Sequence, residues 1–189
     1  GWPDVIDIYS EDFIFRFARL CGELATFLRP LYAEAPVYSP VNEISFTSWG
    51  ISVGLFATAQ QVTEDGGFQS KKQLVKAALA ASDAIWAADP RARILHCDPL
   101  IFLTPPDASE ESQKEVSGWQ DAQFEAWDNV AGEKTPQLGG APHYLDLLGA
   151  KYYHDNKGEF GTNQRLSWHL GCPQLKKLHR MLHELWLRY

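Results

Sequence analysis

The 189 residues carry a formal net charge of −7 and a hydrophobic share of 45%, enough for a packed core and too much for a disordered chain. Acidic residues are scattered and no basic run exceeds Lys71-Lys72 or Lys176-Lys177, so nucleic acid is not an expected partner; no stretch approaches the roughly 20 apolar residues of a membrane span, and the opening GWPDVIDIYSEDF lacks the basic start of a signal peptide. Cys21, Cys97 and Cys172 are far apart and without metal-knuckle spacing, which fits a reducing cytoplasm and speaks against a disulfide framework.

In chain order, Ser10 followed by Glu11 and Asp12 caps a helix whose apolar positions Phe13, Phe17, Leu20, Leu24, Phe27 and Leu28 recur at helical spacing until Pro30 stops it. The extended run Val37-Tyr38-Ser39-Pro40-Val41 ends in Asn42-Glu43, and its proline, lacking an N–H, belongs near a strand end. An aromatic loop with Phe46, Trp49 and Phe56 leads through a Glu64-Asp65-Gly66-Gly67 turn to Ser70 and Gln73, a capping box. The helix it opens carries Leu74, Ala77, Ala78, Ala81, Ile85 and Trp86 and ends before Pro90, with Lys71-Lys72 as its solvated start. A second strand, Arg93 to Cys97, delivers His96 and Asp98 to a proline-rich loop. A helix from about Ser109 to Val130 then buries Val116, Trp119, Phe124 and Trp127. Leu145 to Tyr153 is an apolar run of the kind found in parallel strands covered on both faces. After a loop rich in Gly, Asn and His, a last helix from Pro173 to Tyr189 presents Leu175, Leu178, Leu182, Leu185 and Trp186 on one face.

This alternation predicts an α/β chain of parallel βαβ units with right-handed crossovers, about three strands and four helices, in a single domain over residues 1–189. Open doubly wound sheets and closed (β/α)8 barrels both use such units. No GxGxxG or GxxxxGKS/T follows any strand, so the nucleotide-binding open sheet lacks its marker and no cofactor is expected. Polar side chains instead stand at the strand ends, Asn42-Glu43, His96-Asp98 and Tyr152-Tyr153, where a barrel places its chemistry. A carboxyl held over a cleft among apolar neighbours can protonate a glycosidic oxygen; a strand-terminal Glu equally serves as a solvated end or a helix cap. His96 and Asp98 suit lining a cleft and bonding its loops, and with His154 and Asp155 they are also the types that bind metal in another class of hydrolase, although no ligand spacing supports a metal here. Trp49 suits stacking on a sugar as well as packing a loop. His179 and His183, without the Glu of HExxH, fit a helix's carboxyl end.

The stretches PVYSPVNEISFTSWG, GWPDVIDIYSEDFIFRFARL, VKAALAASDAIWAADPRARILHCDP and YLDLLGAKYYHDN together resemble a bacterial branch of the family 1 glycoside hydrolases over most of the chain. The resemblance implies a partial (β/α)8 (TIM) barrel and a retaining β-glycosidase acting on carbohydrate. It makes Glu43 the acid/base carboxylate that protonates the leaving oxygen and then activates water. It gives Asn42 the sugar's 2-hydroxyl, and it matches Tyr152 and Tyr153 to the end of an Asn-Tyr-Tyr motif in which Tyr153 orients the nucleophile.

Two departures qualify the match. Lys151 stands where the motif has Asn. The family's nucleophile ends a seventh strand, whereas this sequence closes on His183-Glu184-Leu185-Trp186-Leu187-Arg188-Tyr189, resembling the helix before it, and opens on Gly1-Trp2-Pro3-Asp4, resembling the loop after a third strand. The expectation is a segment carrying the acid/base residue without the nucleophile; a catalytically inactive barrel remnant that binds a glycan or a partner chain is the alternative. About three strands cannot close a sheet that needs eight, so the first and last would expose unpaired backbone groups. The chain alone is therefore expected to self-associate or to take complementary strands from another chain, and to hydrolyse no aryl β-glycoside at an enzymatic rate. Its mass in solution, with assays alone and with the missing segments added, checks this; a monodisperse monomer with robust turnover would overturn it.

Overall fold

The computed structural model describes residues 5–56, 65–153, 157–161 and 173–189. Its elements run α1 (Glu11–Leu28), β1 (Val37–Tyr38), α2 (Ile44–Ser52), α3 (Gly66–Ala88), β2 (Arg93–Pro99), β3 (Phe102–Thr104), α4 (Glu110–Ala122), α5 (Glu125–Ala131), β4 (Leu147–Lys151), β5 (Lys157–Glu159) and α6 (Pro173–Arg188). Packing gathers them into two compact units, Gly1–Asp98 with Glu125–Gly149, and Pro99–Phe124 with Ala150–Tyr189.

In the first unit the Ser10 hydroxyl accepts the Phe13 N–H at 3.2 Å, capping α1 as its sequence implies. Helix α1 lies along α3, and Gly22 permits the approach: a Cβ there would stand 3.3 Å from the Ala84 Cβ and carbonyl. The apolar arc of α1 is wider than α3 covers. Phe13 and Ala25 are buried, while Leu20, Leu24 and Phe27, at helical spacing on the flank, stay exposed. The sheet has the order β1-β2-β4. Strands β1 and β2 are parallel, with Val37 opposite Arg93 and Tyr38 opposite Ile94, and an Asn42–Cys97 bridge carries the pairing past the end of β1. Gly149 of β4 has no room for a side chain, because a Cβ would meet the Cys97 Cβ at 2.8 Å. Ile44, Ile51, Leu74, Val75, Ala78 and Val130 form one core, and Ala25, Ile85, Ala92 and Ile94 a second.

Polar anchors hold the strand starts. The Arg91 guanidinium hydrogen-bonds the buried Asp89 at 2.8 and 2.9 Å and holds its carboxyl down to about 2, while donating to the Ala33 carbonyl. Asp146 accepts from Arg93 and from the Ile94 N–H at 2.9 Å, tying the approach to β4 onto β2.

The second unit pairs β3 and β5 in parallel, Phe102 opposite Lys157 through Thr104 opposite Glu159, with α4 against β3. Its α6 buries Met181 and Leu185, four residues apart, and leaves Leu182 and Trp186 exposed.

Several expectations are corrected. Phe46 and Trp49 lie in α2, not in a loop: Ile44 and Ile51, seven residues apart, are both buried and hold a helix that weak local propensity would not. Ser70 and Gln73 are not a capping box, since α3 begins a turn earlier; the Ser70 hydroxyl donates to the Gly67 carbonyl, and Gln73 donates to the Ile8 and Ser10 carbonyls. The helix after Ser109 breaks between α4 and α5, where Gln123 accepts the Ile101 N–H and donates to the Gln120 carbonyl while Phe124 turns back on the Asp121 carbonyl. Trp119 is not buried: it is 54% exposed and its ring meets Phe160 at 5.9 Å. The expected strand Leu145 to Tyr153 is the shorter β4, and the short strands β3 and β5 occupy stretches that read as loops. His154, Asp155 and Cys172, and the side chains of Leu175, Leu178 and His179, lie outside the described residues.

Trp127 is 1% exposed and donates its indole N–H to the His96 carbonyl at 3.1 Å. Trp127→Ala is expected to cost ~3–5 kcal/mol through cavity and hydrogen-bond loss, and Trp119→Ala about 1 kcal/mol or less. Urea unfolding of the two variants checks the contrast.

Candidate active site

Strand β2 and the stretch after β1 run side by side, and their ends build the site. The Glu43 N–H donates to the Cys97 carbonyl at 3.0 Å, and the Glu43 carbonyl accepts the Thr47 N–H at 2.8 Å as α2 begins. Glu43 is thus the N-cap of α2, in left-handed backbone at φ 51° and ψ 67°, and its side chain makes no capping bond. Its carboxyl is mostly buried, the residue being 8% exposed, and Oε2 lies 3.5 Å from Asn42 Nδ2. Asn42 Oδ1 in turn lies 3.7 Å from the Cys97 thiol, which is 3.3 Å from the Ser39 hydroxyl.

Alternation along β2 divides its polar residues. Ile94 packs into the core shared with Ala25 of α1 and Ile85 of α3, so His96 and Asp98, two and four residues on, share that helix-covered face, while Leu95 and Cys97 turn to the other. Asp98, 2% exposed, accepts the Ser45 N–H at 2.9 Å. Burial pushes its carboxyl up to about 7, against the Ser45 N–H and the Lys71 ammonium, with the nearby Glu43 charge adding to the rise. Lys71 is ion-paired to Glu125, which Lys134 also meets at 3.0 Å. Burial raises the Glu125 carboxyl, and the hydrogen bonds from Lys71 and Lys134 outweigh that and hold it below the usual range. Lys71 is therefore not a solvated helix start. Its place three, four and seven residues before the buried Leu74, Val75 and Ala78 was the available signal.

Trp49, half-exposed on α2, stacks on Phe46 at 5.6 Å, and Phe46 meets Phe56 edge-on at the same distance, so three aromatic rings cluster beyond Glu43. The structure thus brings Asn42, Glu43 and Asp98 to one strand end, with His96 behind it and Trp49 on the helix that follows. Tyr152 and Tyr153 belong to the second unit, after β4. Burial raises the Tyr152 phenol, and Tyr153 is exposed. Among the described residues, no three His, Cys, Asp or Glu side chains gather as a metal site, and no helix is long and apolar enough to cross a membrane.

A sheet of parallel strands flanked by helices, with polar residues at strand ends, is the pattern of a (β/α)8 barrel, and the chain has the fold of part of one. Among solved structures it is similar to virulence factor SghA from Agrobacterium tumefaciens at 13% identity, with a TM-score of 0.70 over 96% of this chain and 47% of that one. It is also similar to a family 1 β-glucosidase from Thermotoga maritima, at 14% identity and a TM-score of 0.63 over 89% of this chain and 42% of that one. A hyperthermophilic β-glucosidase from Pyrococcus furiosus matches at 17% identity and a TM-score of 0.61, over 86% of this chain and 31% of that one. The chain spans less than half the length of each of these three, and at these identities the likeness establishes the fold. No family model and no curated protein matches the sequence.

His96 is enclosed, and neither ring nitrogen has a hydrogen bond of normal geometry among the described residues. Burial brings its pKa down from 6.5 to about 4, with the Tyr144 backbone and the Asp146 charge opposing. The unfolded chain therefore takes up the His96 proton before the folded chain does. Stability from keeping His96 neutral is complete above about pH 6.5 and is lost as pH falls through about 4, a change on the order of 3 kcal/mol. Denaturation of the protein and of His96→Leu between pH 4 and 7 is expected to show this slope in the difference between the two stabilities, the wild type losing stability towards acid relative to the variant, while the opposite contribution of Asp98 is common to both.

Proposed function

We propose that the chain is the acid/base segment of a retaining β-glycosidase of the family 1 type, acting on carbohydrate. The observation that carries this is Glu43, a carboxyl largely withdrawn from water at the end of a parallel strand, beside Asn42 and at the start of the helix that carries Phe46 and Trp49. Supporting it are the resemblance of PVYSPVNEISFTSWG and the barrel likeness to β-glucosidases, of which the Thermotoga maritima enzyme is seen with isofagomine lactam; SghA, a further neighbour, is seen with its substrate analog salicin.

In this reading Glu43 gives its proton to the glycosidic oxygen as the C1–O bond breaks and a second carboxylate, from a strand the described residues do not include, bonds C1. The ionised Glu43 then takes a proton from the water that attacks C1, which releases the sugar and restores both carboxyl groups. Asn42 bonds the 2-hydroxyl, Tyr153 orients the second carboxylate, and Tyr152 and Trp49 border the sugar. Lys151 brings a cation where the family motif has an amide. His96 and Asp98 support the strand end from its helix side. Both compact units belong to one partial barrel domain, and the described thiols Cys21 and Cys97, both free, fit a reducing cytoplasm.

A second reading, a remnant that binds a glycan or another chain, is favoured by one observation. The exposed flank of α1 (Leu20, Leu24, Phe27) and the exposed Val37 on edge strand β1 suit another βα unit, from a second copy or a complementary chain.

In an active form of the barrel, Glu43→Gln is expected to slow substrates with poor leaving groups by ~10²–10⁴-fold, and activated aryl glycosides by under about 10-fold, because only the former need protonation. Rates on both substrate types decide between the readings, and equal losses would remove Glu43 from the acid/base role.

A further inference from the structure

Helix α2 begins in an unusual way. Its N-cap is a glutamate in left-handed backbone, the only non-glycine residue with positive φ among the described residues, and the capping bond that an N-cap side chain ordinarily makes to the first turn is missing. The acceptor comes instead from β2, 53 positions away in sequence, where Asp98 takes the Ser45 N–H at 2.9 Å. The neighbouring residue of β2, Cys97, takes the Glu43 N–H at 3.0 Å and bridges Asn42. Glu43 therefore sits between two bonds to consecutive residues of one strand.

We propose that Asp98 is the positioning residue for Glu43: it caps α2 from the adjacent strand, holds the Glu43–Ser45 turn in its left-handed entry, and so relieves the Glu43 carboxyl of capping and commits it to the site. This rests on the reading of Glu43 as acid/base for its purpose, and on hydrogen-bond geometry for its mechanism. A carboxylate at position 98 is otherwise hard to account for. It is enclosed on the helix side of the sheet, its Coulombic neighbours are Lys71 of α3 and Glu43, and Lys71 is already held by Glu125 of α5. Burial raises the group, and the Ser45 N–H and Lys71 oppose that rise only in part.

The test uses the 189-residue chain and needs no turnover. In the wild-type protein, the Ser45 amide resonance is expected to titrate with a midpoint near pH 7, following Asp98, and Glu43 is expected to show the three-bond HN–Hα coupling and Cα shift of left-handed backbone. Asp98→Asn keeps an acceptor and removes the charge, so the Ser45 titration should vanish while the Glu43 signals stay in place. Asp98→Ala removes both, and should speed Ser45 amide exchange about 10-fold or more and move the Glu43 signals out of the left-handed range. A Ser45 amide that ignores pH in the wild type, or Glu43 signals unchanged in Asp98→Ala, overturns the proposal. Should Asp98→Ala fail to fold, the wild-type titration and its loss in Asp98→Asn with Glu43 unmoved still decide. If these signals behave as stated while Glu43→Gln shows no leaving-group contrast, the acid/base reading fails and the cap from Asp98 stands.

Discussion

The hydrogen bond from the Glu43 N–H to the Cys97 carbonyl, with the Asn42–Cys97 bridge beside it, fixes where the chain stops being strand and starts being helix. Strand β1 is only two residues long, so the sheet alone holds this segment weakly. The added pairing beyond Ser39 and Pro40 brings Asn42 and Glu43 to the end of β2, and α2 starts there because the pairing has ended. The core residues Ile44 and Ile51 then secure the helix against α3. Without that register the aromatic rings of α2, the Asp98 carboxyl and the Glu43 carboxyl would have no common frame.

Two buried ionisable groups on β2 act on stability in opposite senses. His96 is held neutral, so its contribution is complete above about pH 6.5 and declines in acid; Asp98 holds its proton more tightly folded than unfolded, so its contribution is complete below about 3.8 and is lost as pH rises through about 7. At neutral pH the strand thus carries one group in its preferred state and one close to its balance point. The ion pair of Lys71 with Glu125 lies next to the second of these and supplies positive charge where the carboxyl needs it. At the other end of β2, Asp89 with Arg91 and Asp146 with Arg93 are ordinary paired carboxylates held ionised, and they serve the fold alone.

Local signals carried much of this into the sequence. Ser10 and Ser109 announced their helices because a hydroxyl cap needs only residues three positions away, and Pro30 and Pro90 marked where helices had to end. The β2 strand and the polar pair at Asn42-Glu43 were visible as an apolar run and its punctuation. What was hidden depends on partners distant in sequence. Helix α2 has the composition of a loop and becomes helical through Ile44 and Ile51 meeting α3. Lys71 looked solvated until Glu125, 54 residues on, reached it. The bend between α4 and α5 comes from a Gln123 side chain that bonds Ile101, and three-residue strands such as β3 and β5 are too short to leave a period. Asp98 was legible as a polar strand end, but its bond to Ser45 was not, since nothing in either segment names the other.

The left-handed conformation of Glu43 bears on how this position drifts under mutation. A glycine or asparagine would occupy φ 51° with less strain, a relief of about 1 kcal/mol, so folding by itself favours replacing the glutamate. The position is one where stability and chemistry select different residues. In a lineage that had lost hydrolysis, neutral substitution would run downhill towards glycine or asparagine here, while the neighbouring core positions Ile44 and Ile51 stayed apolar. The amino acid found at position 43 in successive descendants of this chain therefore serves as a clock for the loss of function, separate from any assay of it.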